Sequence, residues 1–307
     1  MPIPGPTTGP KIISLAGDLG SGKTTVGEML AARWGVHRHY AGGWLRAWGA
    51  ARGMDILQAS EAAAKDPTID DQIDAAFKEM ATSGADGIAE GRVAWHFLPQ
   101  SFKIKLTVCP KLAAERIYRD KKRKNESVDT PDKIIDSIRA RKENEVARYQ
   151  KLYGINTEDD ANYNLIIDTS SVTPDDVVAL IDRLSPMFFS GEHIEKHWIN
   201  PRSLYPSVMP RVTEQGLDLP PDEFDQVPIT VIDMNRLYLI VDGHQRTSRA
   251  VMAGVPFIPV RAVHAWQMVP GRDMTGLDFY RAQLDFEAIQ EWSKVHGFNY
   301  LLLPERP

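Results

Sequence analysis

Short apolar runs alternate with longer runs of helical periodicity along the first 184 residues. The apolar runs predict strands at residues 11–16, 36–40, 87–89, 104–108 and 165–167. The periodic runs predict helices at residues 23–34, 69–82, 111–122, 131–153 and 174–184. Because strands that alternate with helices form parallel sheets covered by helices, this part of the chain predicts an α/β fold.

The pattern changes at residues 185–191, where Ser-Pro and Ser-Gly dipeptides predict the end of the last of these helices. The following segment is rich in proline and then gives way to shorter elements. They are predicted strands at residues 229–234, 237–241 and 257–262, and predicted helices at residues 245–253 and 277–296. We therefore expect a smaller α+β domain with a helical C-terminal extension. The expected organisation is a flexible N-terminus, an α/β domain and this second domain, at residues 1–10, 11–188 and 189–307.

The charge of the chain is unevenly distributed, and this adds one expectation. The formal net charge of −5 is not typical of a nucleic-acid-binding protein, but residues 92–151 carry 16 Lys or Arg against 8 Asp or Glu. This basic segment is where contacts with a polyanion are expected. The single cysteine excludes an intrachain disulfide, and no run approaches the ~20 apolar residues of a membrane span. We expect a cytoplasmic protein with no membrane partner.

Residues Gly17 to Thr24 match the G-x-x-x-x-G-K-[ST] pattern of a phosphate-binding loop. The pattern follows a predicted strand and opens a predicted helix, as this chemistry requires. Glycines let backbone N–H groups point at phosphate oxygens, and the helix N-terminus reinforces them. Lys23 supplies a charge to the β- and γ-phosphates, and Thr24 offers its hydroxyl to Mg²⁺. The predicted nucleotide ligands are Gly17, Asp18, Gly20, Ser21, Gly22, Lys23, Thr24 and Thr25.

Three features favour a kinase among the many classes that use such a loop. The α/β domain is small, and Glu90-Gly91-Arg92 ends a predicted strand at the sheet edge where ligands bind. Arginines also recur at helical spacings, as a lid over phosphates would require. They are Arg116, Arg119, Arg139, Arg141 and Arg148. The predicted catalytic residues are Lys23, Glu90, Arg92, Arg139 and Arg141.

Residues 11–184 resemble the cytidylate kinase-like P-loop kinases, particularly the short archaeal type. The motifs that carry the resemblance are GDLGSGKTT, YAGGWLRAWGAARGM, DPTIDDQID, EGR, AERIYRD, RARKENEVARYQKLYGI and NLIIDTSSVTPDDVV. The resemblance implies a parallel sheet of the nucleoside-monophosphate-kinase type with a helical lid, and ATP and Mg²⁺ as cofactors. It implies that Arg46 and Arg92 contact the acceptor. It also implies that Arg139, Arg141 and Arg148 surround the transferring phosphoryl group.

The sequence departs from that family in the acceptor region. Where the family usually has an acidic residue and then Phe, this chain has Gly43 and Trp44. The departure favours an altered acceptor, with Trp44 and Arg148 as substrate contacts. If the acceptor is a hydroxyl group, Glu90 is positioned in the sequence to act as general base. Three further acidic residues of this region are expected on a solvated helix face: Asp70, Asp71 and Asp74.

The second domain resembles the ParB/sulfiredoxin-like fold over about residues 192–264. The residues that carry this resemblance are YLIVDGHQR from Tyr238 and AVMAGVPFIPV from Ala250. In that superfamily the turn and helix start after the strand bind nucleotide phosphates. The resemblance therefore implies a second phosphate site at Asp242, His244 and Arg246. The alternative is a domain that no longer binds a ligand and serves to dock or orient DNA.

The sequence leaves the acceptor of the phosphoryl group open between two options. One is a free pyrimidine monophosphate such as CMP or dCMP. The other is a hydroxymethylated pyrimidine base in DNA, of the 5-hydroxymethyluracil DNA kinase type found in phages, and the ParB-like resemblance and the tryptophans favour it slightly. A non-enzymatic alternative is a DNA-binding protein switched by nucleotide. The oligomeric state is not predicted.

Overall fold

Four of the five strands predicted for the first half form a parallel sheet in the computed structural model, and the fifth lies beside them. The model describes residues 9–120, 130–207, 227–234 and 238–283. Predictions for residues 1–8, for 121 and 122 at the end of one helix, and for 284–296 of the last helix lie outside these ranges. The described residues divide into two compact units, within Met1–Ile166 with Val177–Ile194 and within Ile167–Asp176 with Glu195–Pro307.

The sheet of the first unit places β1 at its centre. The strands are β1 (Ile12–Gly17), β2 (His37–Tyr40), β3 (Gly87–Glu90), β4 (Phe102–Thr107) and β5 (Leu165–Asp168), the last two residues of which are assigned to the second unit. Strands β3 and β4 pair with β1 on either side, and β2 pairs with β3, all in parallel. Strand β5 follows β4 in the order β2-β3-β1-β4-β5. Every residue of β1 is buried, as expected for a central strand with both faces covered. The predicted α/β class with a parallel sheet is confirmed.

Eight helices of the described residues begin in this part of the chain. They are α1 (Lys23–Trp34), α2 (Ala41–Ala50), α3 (Ile56–Lys65), α4 (Pro67–Thr82), α5 (Ala94–Phe97), α6 (Pro110–Arg119), α7 (Pro131–Tyr153) and α8 (Pro174–Ser190). Side-chain caps fix several N-termini, for example Thr130, which accepts from the backbone N–H of Lys133. No described helix is both long enough and apolar enough to cross a membrane.

Helices α2, α3 and α5 were not predicted from the pattern. Helix α2 contains three glycines, which have low helix propensity, so its sequence gives a weak local signal. Packing stabilises it instead, because Leu45 lies in a buried cluster with Ala59, Ala63 and Ile69 from α3 and α4. Tertiary burial therefore stabilises α2, whose local helix propensity is low.

The last helix of the first half, predicted at residues 174–184, runs six residues further than predicted and ends within the predicted breaking segment 185–191. Helix α8 continues through Pro186 to Ser190. Proline inside a helix removes a hydrogen bond and costs about 3 kcal/mol. Two aromatic residues beyond it offset this cost: Phe188 stacks on Phe102 with 4.4 Å between ring centroids, and Phe189 is also buried. Burial of aromatic side chains thus extends the helix past its local stop signal.

The second unit contains five strands in mixed orientations. Its strands are β6 (His197–Ile199), β7 (Leu204–Pro206), β8 (Ile229–Asp233), β9 (Tyr238–Asp242) and β10 (Ile258–His264), in the order β6-β10-β8-β9-β7. Strand β8 is parallel to β10 and antiparallel to β9. Helix α9 (His244–Met252) follows β9, and α10 (Gly276–Gln283) is the last described helix. The short strands β6 and β7 were not predicted, since three residues each carry too little periodicity.

Replacing Phe188 with Ala should lower the free energy of unfolding by about 3–5 kcal/mol, as is usual for loss of a buried aromatic side chain. The matched control is Pro186→Ala, which restores a backbone N–H donor at an exposed position of the same helix. This substitution should not lower the free energy of unfolding. Urea unfolding followed by circular dichroism measures both. An unfolding midpoint of Phe188→Ala equal to that of the wild type would contradict the packing explanation of α8.

Candidate active site

The loop between β1 and α1 is held close to β4 by its first glycine. Gly17 has φ +143°, a conformation that side chains rarely adopt, and a Cβ atom there would lie 2.0 Å from the carbonyl oxygen of Leu106. The next backbone N–H, of Asp18, donates to that same oxygen at 2.9 Å. Only glycine allows this approach. Gly20 and Gly22 also have positive φ angles, and Ser21 donates its hydroxyl to the carbonyl of Asp18 at 2.8 Å.

Lys23 lies across this loop. Its Nζ donates to the carbonyl oxygens of Gly17 at 2.7 Å and Asp18 at 2.6 Å. Burial and the charge of Arg92 lower the pKa of Lys23 to about 7, against the opposing effect of nearby carboxylates. The lysine therefore lies at the loop. Its charged form is destabilised by burial unless a bound anion compensates the charge.

Thr24 and Glu90 meet at the C-terminal ends of neighbouring strands. The parallel register of β1 and β3 sets Glu90 opposite Leu15, beside the start of the loop. The hydroxyl of Thr24 donates to Glu90 Oε1 at 3.0 Å and lies 3.0 Å from the Tyr40 hydroxyl. Glu90 is 2% exposed. These are oxygen atoms of the hard type that Mg²⁺ prefers, so the residues fit that ion.

Arg38 is a site residue that sequence reasoning missed. Its Nη1 donates to Glu90 Oε2 at 2.7 Å and to the carbonyl oxygen of Thr24 at 3.1 Å. Burial raises the pKa of Glu90, whereas Lys23, the Thr24 hydroxyl and Arg38 act to lower it. Gly27 leaves room for this pair, since a Cβ atom there would lie 3.2 Å from Glu90 Oε2. A charged residue within the short strand β2 was the signal that could have identified it.

A second carboxylate, Glu145 of α7, was also missed. Arg92 donates to the Gly17 carbonyl oxygen and pairs through Nε with Glu145 Oε2 at 2.8 Å. Arg141 pairs through Nε with Glu145 Oε1 at 3.1 Å. Although burial raises the pKa of Glu145, Arg92 and Arg141 hold it below the ordinary value. The structure therefore brings Arg92 to the loop and joins Arg141 to it through a carboxylate. Arg116, also among the predicted arginines, donates to the carbonyl oxygen of Gly20 in the loop at 3.3 Å.

The structure does not bring Arg139 to the loop. Its side chain is 68% exposed and its nearest ion-pair partner is Asp136, at 3.9 Å. Residues two apart in a helix point about 200° apart, so Arg139 and Arg141 cannot face the same side of α7. Arg148 does lie on the inner side of α7, where its Nη2 pairs with Asp70 at 3.1 Å and donates to the Tyr149 hydroxyl at 2.9 Å.

The expectation that Asp70 and Asp74 lie on a solvated helix face was wrong, whereas Asp71 is exposed. Asp70 is 5% and Asp74 is 2% exposed. Asp74 accepts a hydrogen bond from Tyr153 of α7 at 2.6 Å. The face of α4 that carries both aspartates packs on α7 and finds polar partners there, which the helical pattern of α4 alone did not show.

The tryptophans occupy different environments. Trp44 packs against the apolar cluster around Leu45 and Ala59. Trp95 belongs to the core near Ala16 and donates its Nε1 to the carbonyl of Arg92 at 3.1 Å. The guanidinium of Arg46 lies 5.2 Å from the centroid of the Tyr40 ring, and Tyr40 in turn approaches Thr24. Arg46 is therefore linked through Tyr40 to the phosphate loop.

The three residues predicted as a second phosphate site lie at the turn from β9 to α9. Arg246 pairs with Asp242 at 3.1 Å and donates to the carbonyl oxygen of Val227 at 2.5 Å. His244 Nε2 accepts from the backbone N–H of Ser207 at 3.1 Å, and burial lowers its pKa. The polar atoms of His244 and Arg246 thus have partners within the second unit, and a phosphate site there remains a prediction.

The parallel sheet, the phosphate loop after its central strand, and the lysine, threonine and carboxylate around that loop define an ATP-dependent phosphotransferase of the P-loop class. Residues 12–171 match the model of the Cytidylate kinase-like family. Because this match covers more than half of the chain, the protein belongs to that family. P-loop kinases of this family use ATP with Mg²⁺.

Curated relatives are cytidylate kinases from archaea. The chain is 32% identical to that of Methanobrevibacter smithii over 170 residues, which are 55% of this chain and 95% of the relative. It is 37% identical to that of Methanothrix thermoacetophila over 158 residues, 52% of this chain and 88% of the relative. It is 34% identical to that of Pyrococcus furiosus over 190 residues, 60% of this chain and 95% of the relative. These alignments cover nearly the whole of each relative.

We expect nucleotide binding to take up a proton through Lys23. At about pH 7.5, above its pKa of about 7, the free lysine is mostly neutral, and bound phosphates should favour its charged form. Calorimetric titration with ATP and excess Mg²⁺, in buffers of different ionisation enthalpy, measures this uptake, which should be up to about one proton per site.

Lys23→Arg is the matched control, because a guanidinium is always charged and should bind without uptake. Equal proton uptake by this variant and the wild type would show that another group titrates.

Replacing Arg38 with Met should lower kcat by about ten- to a hundred-fold, since hydrogen bonds to charged groups contribute about 1.5–3 kcal/mol. Without Arg38 the pKa of Glu90 should rise further, so the acidic limb of the pH–rate profile should move to higher pH. Arg38→Lys should retain part of the activity. The control is Arg33→Met on α1, which removes a cation that pairs with Asp182 rather than Glu90. An unchanged pH–rate profile in Arg38→Met would contradict the positioning role.

Proposed function

We propose that the chain transfers the γ-phosphoryl group of ATP to a pyrimidine nucleotide, and that free CMP or dCMP is the acceptor that its geometry supports best. The observation that carries this proposal is that both carboxylate oxygens of Glu90 already accept hydrogen bonds. One of its oxygens accepts from Thr24 and the other from Arg38. A carboxylate held in this way is suited to binding Mg²⁺ together with Thr24. It is less suited to taking a proton from an acceptor hydroxyl group.

A monophosphate acceptor fits this arrangement because its phosphate oxygen is already anionic and requires no general base. A hydroxyl acceptor would need one. The phosphate of a monophosphate acceptor requires cations. Arg92 and Arg141 lie together beside the loop, where both pair with Glu145. The arginines can exchange this carboxylate for phosphate oxygens, to which guanidinium groups bind in a bidentate manner.

Each residue then has a defined role in transfer. The loop amides and Lys23 hold the β- and γ-phosphates, and Thr24 with Glu90 would hold Mg²⁺, which neutralises charge on the phosphate oxygens when bound. Arg92 and Arg141 stabilise charge on the transferring group. Arg38 keeps Glu90 ionised and oriented.

A second candidate acceptor is a hydroxymethylated pyrimidine base in DNA. The observation that favours it is the second unit, since the archaeal relatives align with only 52–60% of this chain. Gly43 and Trp44, in place of the acidic residue and Phe typical of the family, would accommodate a different acceptor. A base within a duplex would have to be flipped out to reach the γ-phosphate. In that case the second unit, which resembles ParB-like domains in sequence, would guide the kinase to DNA.

Transfer from radiolabelled ATP to two acceptor panels tests the proposal. One panel contains free CMP, dCMP, UMP and dTMP, and the other contains oligonucleotides with normal or 5-hydroxymethyl pyrimidines. Label on free CMP or dCMP is the expected result, and Lys23→Ala should abolish it. Label on oligonucleotides alone would favour the second candidate.

Two further outcomes would reject kinase activity at this site. ATP hydrolysis with no labelled acceptor would favour a nucleotide-switched DNA-binding protein. Labelling that survives Lys23→Ala but is lost in Asp242→Ala would place the active site in the second unit.

A further inference from the structure

Tyr40 places its hydroxyl group at the phosphate loop from the C-terminal end of β2. The parallel register of β2 and β3 sets Tyr40 opposite Glu90, so both side chains start from the same end of the sheet. The Tyr40 hydroxyl oxygen lies 3.0 Å from Thr24 Oγ1, and Thr24 Oγ1 lies 3.0 Å from Glu90 Oε1. The hydroxyl group of Thr24 therefore lies between the phenol of Tyr40 and the carboxylate of Glu90.

The directions of these two hydrogen bonds follow from the number of hydrogen atoms available. An ionised carboxylate only accepts, and Arg38 donates to the other oxygen of Glu90 at 2.7 Å, which favours the ionised form. The single hydroxyl hydrogen of Thr24 therefore points to Glu90. Because Thr24 has no second hydrogen to donate, Tyr40 is the donor to Thr24 Oγ1. A hydroxyl oxygen has two lone pairs, so one lone pair of Thr24 remains for a metal ion.

The first turn of α2 leaves room for the Tyr40 ring. A Cβ atom at Gly43 would lie 2.6 Å from Tyr40 Cδ1, and one at Gly42 would lie 3.0 Å from Tyr40 Cε2. Any side chain at position 43 would therefore displace the ring. Glycine is unfavourable inside a helix. The space that the ring requires explains why two glycines stand in this turn.

The Tyr40 side chain does not act as a cap for α2. Tyr40 is the N-cap residue of this helix, a position that favours Ser, Thr, Asp and Asn, and its side chain makes no capping hydrogen bond. The guanidinium groups of Arg38 and Arg46 instead lie 4.7 Å and 5.2 Å from the centroid of its ring, as in cation–π contacts. The side chain of Tyr40 thus serves the phosphate loop rather than the helix N-terminus.

We propose that Tyr40 is a positioning residue for the magnesium ion of the phosphate loop, and that Gly43 provides the space for its ring. The Tyr40 hydroxyl fixes the rotation of the Thr24 hydroxyl, so that one lone pair of Thr24 Oγ1 stays available to the ion. Removal of a group that orients a metal ligand typically lowers metal affinity about ten- to a hundred-fold. This inference rests on the proposed function, which assigns the ion to Thr24 and Glu90.

Tyr40→Phe tests the proposal, because it removes the hydroxyl group and keeps the ring. Calorimetric titration of the full chain with the β,γ-imido analogue of ATP, once with excess Mg²⁺ and once with EDTA, gives two dissociation constants. The gain in affinity due to Mg²⁺ should fall about ten-fold or more in this variant, while the affinity in EDTA stays unchanged. Tyr118→Phe is the matched control, since it removes an exposed phenol hydroxyl from α6 and should change neither constant.

Gly43→Ala tests the space for the ring while the hydroxyl group is kept. The added Cβ atom should displace the ring and reduce the effect of Mg²⁺ on nucleotide binding as Tyr40→Phe does. The affinity in EDTA should stay unchanged, because the loop amides and Lys23 are not altered. Combining both substitutions should add little to either alone, since each removes the same contact with Thr24.

The outcomes separate this inference from the proposed function. If Mg²⁺ strengthens nucleotide binding equally in wild-type protein, Tyr40→Phe and Tyr118→Phe, the positioning role is wrong and the proposed function stands. An equal loss of affinity with Mg²⁺ and with EDTA in Tyr40→Phe would show a general structural role and would also contradict the inference. If wild-type protein binds nucleotide no more tightly with Mg²⁺ than with EDTA, the assignment of the ion to Thr24 and Glu90 fails, and this inference fails with it.

Discussion

The buried carboxylate of Glu90 is the group on which the arrangement of the site depends. An ionised carboxylate that is 2% exposed must be compensated, because its desolvation is costly. The compensation comes from Thr24 of the phosphate loop and from Arg38 of β2. This one carboxylate on β3 therefore contacts both the neighbouring strand β2 and the start of α1. The parallel order of β2, β3 and β1 makes this contact possible, because it sets their C-terminal ends side by side.

Ion pairs organise the opposite side of the loop in a different way. Glu145 is held ionised by Arg92 and Arg141, and Arg92 also donates to the carbonyl of Gly17. These arginines are thereby positioned by groups of the chain itself, so binding a phosphate would cost their side chains less entropy. Glu145 thus keeps the two arginines together, whereas Glu90 is held by Thr24 and Arg38.

The parts of the fold that the sequence predicted are those encoded by local pattern. The phosphate loop, helix α1 at residues 23–34 and helix α7 at residues 131–153 were predicted at their observed limits, because caps and periodicity act within a few residues. The length of α8 was not predicted, because it depends on the stacking of Phe188 with Phe102, far away in the chain. Local stop signals are weaker than the burial of two aromatic rings.

The site residues show the same division between local and distant information. Lys23 and Thr24 were identified because the loop motif is contiguous. Arg38, Glu145 and Asp70 were missed because their roles depend on partners 52, 53 and 78 residues away. The spacing of the arginines alone also could not separate Arg139 from Arg141. The two point to different sides of α7, and the sequence does not show which side of this helix faces the phosphate loop.

The polar contacts between α4 and α7 are not explained by stability alone. Well-packed apolar residues in place of a buried ion pair are often neutral or stabilising. The pair of Asp70 and Arg148, which leaves an acceptor atom and a donor atom without a hydrogen bond among the described residues, is the less stable choice, yet it stands one turn beyond cations that suit a phosphate. Helix α7 therefore carries, one turn apart, the carboxylate that joins Arg92 to Arg141 and an arginine that pairs with α4.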